Sequence, residues 1–266
     1  MAPRMNYERM KIYSWNMLFH NAEPDRAFEF IAKSDFDIFC LQEVPQAFLD
    51  RLLALPCYHA YTIDVERLHG SEFVPIYLVI LSKYPISNET LISFPDYWPN
   101  LLVRTSIFVH LMRPFHFTRI RNRSGLSVDI ALPSGITHLF NLHLILAHPE
   151  LRLREFEKMM SNRNASRAAI ICGDFNILEA RSITILNWLL GGTLHDVLFH
   201  KRERTLIEKR FVAYELRNPL RGSVTHPLSR SQLDHILVSH SFSIKFASVL
   251  PDRVGSDHHP IFVETA

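Results

Sequence analysis

Ala168-Ala169-Ile170-Ile171-Cys172-Gly173-Asp174-Phe175-Asn176 is the stretch on which the fold turns. Its first five residues are small or apolar without a break, as in a strand covered on both faces. The run stops at Gly173-Asp174, so a carboxylate stands at the mouth of a buried strand. In an extended segment Asp174 and Asn176 share one side, and Phe175 points the other way into packing. An acid beside an amide can orient a water and bind an oxyanion. Taken alone, the same residues are more often an Asx turn at a strand end.

Other strand ends carry similar residues, and ligands of layered α/β proteins gather at such ends. Pro133-Ser134-Gly135 marks a hairpin between strands at 126–131 and 136–143. The second places Asn141 and His143 on one face; a lone histidine there is commonly a satisfied core group. A strand at 233–239 opens with Asp234, and Ser256-Asp257-His258-His259-Pro260 leads into a last strand at 260–264. An Asp–His pair fixes a tautomer and holds an imidazole in place. Zinc is disfavoured at His258-His259, because neighbours on an extended segment face opposite ways and no Cys ligands accompany them. His259 is therefore read as a packing residue or a support behind the site residues. Upstream, the strand at 37–42 ends in Glu43. A carboxylate there is costly unless paired or metal-bound. One carboxylate plus waters suits magnesium, and a surface Glu capping the next helix fits equally well. Asn16 closes a strand at Lys11–Asn16.

Between these lie helical patterns at Pro24–Lys33, Pro149–Met160 and 183–190, the last closed by Gly191-Gly192, and strands at 74–82 and 243–249. Strands outnumber helices and the two are mixed, which predicts an α/β fold whose sheets are covered by helices. No repeat, linker or low-complexity segment divides the chain, so residues 1–266 are read as one domain. A chain of 266 residues buries roughly 70–75% of its unfolded surface, enough for one sizeable core. An apolar content of 47% excludes intrinsic disorder, and a net charge of +2 excludes a histone-like coat on polyanions while allowing a local basic groove. The three cysteines show no pairing pattern; Cys40 and Cys172 read as small core residues. No apolar run approaches the ~20 residues of a membrane helix, and none precedes the first strand, so a cytoplasmic location is expected. Oligomeric state is left open.

In order, Trp15-Asn16, Leu41-Gln42-Glu43-Val44, Asn141-Leu142-His143-Leu144, Gly173-Asp174-Phe175-Asn176, Leu233-Asp234-His235-Ile236 and Ser256-Asp257-His258-His259-Pro260 resemble the endonuclease/exonuclease/phosphatase superfamily. Residues 80–87, Ile-Leu-Ser-Lys-Tyr-Pro-Ile-Ser, look like its strand–turn segment. The resemblance implies the DNase I-like four-layer α/β/β/α sandwich and a divalent-metal-dependent phosphoesterase using Mg2+, or Mn2+. It implies that Glu43 binds the metal, with Asn16 nearby, and that Asp257 touches it through water. It further implies that Asp174 orients or deprotonates the attacking water, that Asn176 steadies water and phosphate, and that Asp234 orients His258. His143 matches the strand histidine of the DNase I, sphingomyelinase and deadenylase branches, where the exonuclease III branch has Tyr. In-line attack on a phosphoester develops charge that a metal, an amide and imidazolium groups stabilise. Whether Asp174 or His258 takes the proton stays open.

Two acid-free windows suggest the substrate. Residues 97–128 contain Arg104, Arg113, Arg119, Arg121 and Arg123, interleaved with Phe115, Phe117 and Ile120; residues 216–233 contain Arg217, Arg221, His226 and Arg230. Arginine forks suit phosphates and aromatic rings can stack bases, although such windows are also simply solvated loops. Arg104, Arg119, Arg121, Arg217, Arg221 and Arg230 are the expected substrate contacts and nucleic acid the expected partner, making the chain a nuclease. The alternative is a phosphoesterase of lipid head groups or small phosphates, with residues 94–99 as a loop touching a lipid surface. A third reading, a non-catalytic nucleic-acid-binding module, is disfavoured because every polar position of the pattern is filled.

Overall fold

In the computed structural model, which describes residues 9–97, 99, 101–112 and 118–266, the apolar segments pair into two sheets. The first has the strand order β12 (Ile244–Val249), β13 (Ile261–Thr265), β1 (Lys11–Asn16), β2 (Ile38–Pro45), β4 (Glu72–Ser82), β3 (Tyr58–His69) and β6 (Ile120–Arg121). The second has β10 (Leu216–Arg217), β11 (Asp234–Ser239), β9 (Ala169–Asp174), β8 (Gly135–His143), β7 (Ser124–Leu132) and β5 (Ile86–Ser93). One parallel pair lies inside each sheet, β1 with β2 and β8 with β9. Parallel neighbours need a crossover, and the helices α1 (Pro24–Lys33) and α4 (Pro149–Met160) supply it. Both open on proline, whose fixed φ suits the first helical turn.

The sheets pack face to face over Ile38, Cys40, Leu78 and Ile80 from one side and Val128, Ile130, Ile170 and Ile236 from the other. Cys40 and Cys172 are free thiols that meet in this layer; burial pushes the Cys40 thiol well up. On the outer face of the first sheet, Phe39 and Leu41 pack against Ala27 and Ile31 of α1 and Phe48 of α2 (Gln46–Leu52). On that of the second, Phe140, Leu142 and Ile171 pack against Phe156 of α4 and Ile207 and Phe211 of α7 (Arg202–Ala213). The layers are therefore α/β/β/α, the sandwich expected from the sequence.

Strand β3 and helices α3 (Val103–Leu111) and α7 were not anticipated. β3 lies next to the sheet edge with many half-exposed residues, so its polar content hides it. The expected helix at 183–190 is a 3-10 turn at Arg181–Ile183 continued by α5 (Thr184–Leu189), and α6 (Leu194–Leu198) follows. The lipid-touching reading of residues 94–99 fails at Phe94, which is buried in the core under the Arg123 guanidinium. Trp98 of that segment, and Arg113, Phe115 and Phe117 of the first basic window, lie outside the described residues. Among the described residues no helix is long and apolar enough to cross a membrane.

Candidate active site

Strand register assembles the site. Across the second sheet His143 of β8 pairs with Asp174 of β9, and Asp174 pairs with Asp234 of β11, so the three form one row at the sheet end. In the first sheet Asn16 ends β1 beside Gln42. Glu43 follows at φ 56, where the β2–β4 register slips between Leu41 and Val44. A bulge re-aims the side chain it carries, and here it brings Glu43 to within 3.9 Å of His143, between its Oε1 and the imidazole Nε2. A second slip in the first sheet, between Ile63 and Val65, brackets Asp64.

Asp174 Oδ2 is the node of the arrangement. The Asn16 amide donates to it at 3.0 Å, and His143 Nε2 and His258 Nε2 stand 3.7 and 3.8 Å away. Its other oxygen accepts the backbone N–H of Asn176 at 2.8 Å. Asn176 sits at φ 52 and gives its side-chain nitrogen to the Leu144 carbonyl, so it reaches the site through a turn and not by strand alternation. Gly173 before it has φ 146, and a Cβ there would meet the Leu142 carbonyl oxygen at 1.8 Å. Only glycine lets β9 deliver Asp174 at this position.

Each imidazole has a carboxylate behind it. His258 Nδ1 pairs with Asp234 Oδ2 at 2.8 Å, and His143 Nδ1 pairs with Asp64 Oδ2 at 2.7 Å. Burial opposes the charged rings, but the carboxylates prevail. Asp64, with Asp174 and Glu43, raises His143 to about 9, and Asp234, with Asp174, raises His258 to about 10. Burial likewise pushes Asp174 up, against the pull of His258. Asp64 was not singled out in the sequence. Its only signal is its phase with the inward residues Ala60 and Thr62 of a strand that escaped notice. His226 was noted only as part of a basic window, yet its ring packs on that of His258 at 4.7 Å between centroids and lies 3.5 Å from Asp257. Asp257, held near 2 by His226 and His258 despite its burial, stands on this side of the site, 4.0 Å from His258 Nε2. His259 turns aside to the Leu250 carbonyl at 2.7 Å. Asn141 serves the fold: it donates to the carbonyls of Leu41 and Val79 across the sheets and accepts from Gln42.

The expected substrate arginines are mostly engaged elsewhere. Arg104 donates to the carbonyls of Trp188 and Gly192 and stacks on the Trp188 ring. Arg121 pairs with Glu66 and lies over Phe73, Arg221 pairs with Glu208, and Arg217 donates to the Phe242 carbonyl. Arg119 and Arg230 are exposed. Arg123 is a structural clamp, bonding buried Glu155 and the His143 carbonyl.

Carboxylates outnumber imidazoles at this sheet end. One oxygen each of Asp64, Asp234 and Asp257 is buried without a hydrogen-bond partner. Such an oxygen-rich, electron-rich set with few neutral donors fits a hard divalent cation. Among the described residues two groups bring ligand-type atoms within reach of one another: Asp174, Asp234 and His258, and His226, Asp257 and His258. Glu43 and Asn16 border the first.

A two-sheet sandwich with acids and imidazoles converging at one strand end defines a phosphoester-hydrolase scaffold. The chain belongs to the Endonuclease/Exonuclease/phosphatase family, which it matches over residues 13–258. No curated protein sequence matches it. Among solved structures it is similar to an endonuclease/exonuclease/phosphatase from Beutenbergia cavernae, at 16% identity and a TM-score of 0.71, covering 97% of this chain and 71% of that one. It is also similar to a mannosyl-6-phosphatase from Bacteroides thetaiotaomicron (21%, TM-score 0.60, covering 97% and 99%). A third is ANGEL2, a 2',3'-cyclic phosphatase (14%, TM-score 0.59, covering 98% and 95%).

Proposed function

We propose that this hydrolase is a Mg2+-dependent phosphodiesterase that attacks phosphorus in line with water. The observation that carries the reading is the pair of carboxylate-backed imidazoles flanking Asp174. Glu43 and Asn16, with Asp174, are the residues that would hold the metal; Asp257 borders it from the His258 side. When bound, the metal neutralises the phosphate and eases departure of the leaving oxygen. Asp174 Oδ2 orients the water, with its other oxygen fixed by the backbone N–H of Asn176. His143 and His258, each favoured as the cation by the carboxylate behind it, donate to the phosphoryl oxygens as charge develops. Asp64 and Asp234 hold the imidazoles so that each presents Nε2.

The engaged arginines favour a compact phosphoester over a long nucleic-acid strand. A backbone footprint needs several free cations, and of the expected arginines only Arg119 and Arg230 keep exposed guanidinium groups without a protein partner among the described residues. The fold neighbours named above include phosphatases, which agrees with a small footprint. The nuclease reading retains those two residues as its support.

The deciding experiment compares Mg2+ with EDTA on bis(p-nitrophenyl) phosphate, on p-nitrophenyl phosphate and on labelled single- and double-stranded DNA and RNA, with Asp174→Asn as control. Metal-dependent diester turnover lost in the variant, with slow or absent oligonucleotide cleavage, is expected. Rapid cleavage of oligonucleotides would establish the nuclease instead. Monoester turnover alone would overturn the diesterase reading.

A further inference from the structure

Helix α3 is apolar on the wrong side. Its inner face is accounted for: Thr105 and Val109 are buried, and Phe108 packs against the buried cluster of Leu178, Leu190 and Leu233. A surface helix with one buried face ordinarily turns polar residues outward. Here the outward positions are Val103, Ile107 and Leu111, spaced four apart and 76%, 56% and 68% exposed. Helix α6 repeats the pattern with Leu194 and Leu198 and with Phe199 at its end, all more than half exposed. Helix α5 packs against both α3 and α6, and its Ile185 is exposed as well. Scattered apolar side chains are normal on a surface, but a set on adjoining helices marks an interaction face.

The segments that carry these helices are almost free of acid, and the acids of neighbouring α7, Glu203 and Glu208, are paired with Arg152 and Arg221. Residues 97–128 contain no Asp or Glu, and residues 180–202 contain only Asp196. That carboxylate is buried and is spent on Arg202 and Thr193. Between α6 and α7 a groove of about 830 Å³ is lined by Leu198 and Phe199 together with Arg181, Lys201 and Lys209, and by no acid. Interface cores between proteins are depleted in lysine. Exposed apolar side chains bordered by lysine and arginine complement an anionic bilayer, whose head groups attract the cations while the apolar groups enter the interface.

We infer that the face formed by α3, α5 and α6 docks on an anionic lipid surface, with Val103, Ile107, Leu111, Leu194, Leu198 and Phe199 entering the head-group region and Arg181, Lys201 and Lys209 against lipid phosphates. None of these residues belongs to the hydrolytic site, so the inference stands whether or not the diesterase reading holds.

The test is co-sedimentation of the full chain with vesicles of phosphatidylcholine, and of phosphatidylcholine mixed with phosphatidylglycerol. Binding to the mixed vesicles, little binding to phosphatidylcholine alone, and release by high salt are expected. The double variant Ile107→Glu/Leu198→Glu should abolish binding. Lys201→Glu/Lys209→Glu should weaken it by at least about tenfold, at several-fold per basic residue near the surface. All these side chains are exposed, so the variants should keep the wild-type circular dichroism and hydrolytic rate. Absence of vesicle binding by the wild type, or binding unchanged in the double variant, overturns the inference. So does a wild-type dimer in sedimentation velocity that Ile107→Glu dissociates, which would make the face a contact between copies of the chain.

Discussion

Asp174 is useful only because its neighbours hold it. Gly173 at φ 146 permits the approach of β9 to β8, and Asn176 and Asn16 fix one carboxylate oxygen each. Replacing Asp174 by Asn should lower turnover by at least about a thousandfold with the fold intact, since the group that orients the water is lost; steady-state kinetics beside circular dichroism checks this, and near-normal turnover would sink the assignment. Gly173→Ala should instead act on folding. It forces an L side chain into a conformation such residues avoid and against the Leu142 carbonyl, costing at least about 3 kcal/mol in denaturant melts. Asp64→Asn should lower stability at neutral pH, because it removes the carboxylate that favours the His143 cation in the fold. It should also lower kcat about 10- to 100-fold in the fraction that remains folded, as loss of a carboxylate behind a functional histidine commonly does. Unchanged kcat would reduce the His143–Asp64 pair to a fold contact.

At the scale of elements, two bulges and one buried amide carry the site. The slips beside Glu43 and Asp64 turn otherwise regular strands toward the sheet end, and Asn141 pins β8 to β2 and β4 by the carbonyls of Leu41 and Val79. Asn141→Leu fills the space but leaves two buried carbonyls and the Gln42 amide short of a partner. It should destabilise by about 2–5 kcal/mol, read as a lower midpoint in urea; a neutral result would mean that the sheets need no polar peg. Much at this scale was legible in advance. Lys11–Asn16, Pro24–Lys33 and Pro149–Met160 are found with the expected bounds, and the hairpin turns at Pro133-Ser134. β3, α3 and α7 were not, for different reasons: β3 near an edge mixes polar and apolar residues, α3 is apolar on both faces, and α7 buries Glu203 and Arg204 as ion pairs that mimic a solvated helix.

Across the whole molecule, histidines of opposite tendency set the response to pH. Burial holds His138, His148 and His235 below the ordinary value near 6.5, with Arg204 adding to the effect at His235. Their neutral forms are favoured in the folded state, so stability is lost as pH falls below about 6.5, where the unfolded chain takes up protons first. His143 and His258 act the other way, raised to about 9 and about 10. Their contribution is fully present below 6.5 and is lost as pH rises through 9 to 10. The metal-free protein in EDTA should therefore be most stable near pH 6.5 in thermal melts, with His143→Gln flattening the alkaline limb. A melting temperature that climbed steadily to pH 10 would contradict the assigned carboxylate partners.

From the sequence alone came the layered α/β class, the strand ends that bear chemistry, and the order of Asn16, Glu43, His143, Asp174, Asp234 and His258 along the chain. These are local matters: apolar runs define strands, and a polar residue at the end of a run is visible without knowing what it faces. Tertiary structure alone decided which groups meet. Asp64 reaches His143 across the gap between sheets and His226 covers His258, while Arg104 and Arg217, equal to any free arginine in the sequence, bond backbone carbonyls and Arg121 and Arg221 pair with surface carboxylates. A guanidinium is available to a ligand only if no nearer carboxylate or carbonyl claims it, and that competition is settled by residues distant in the chain.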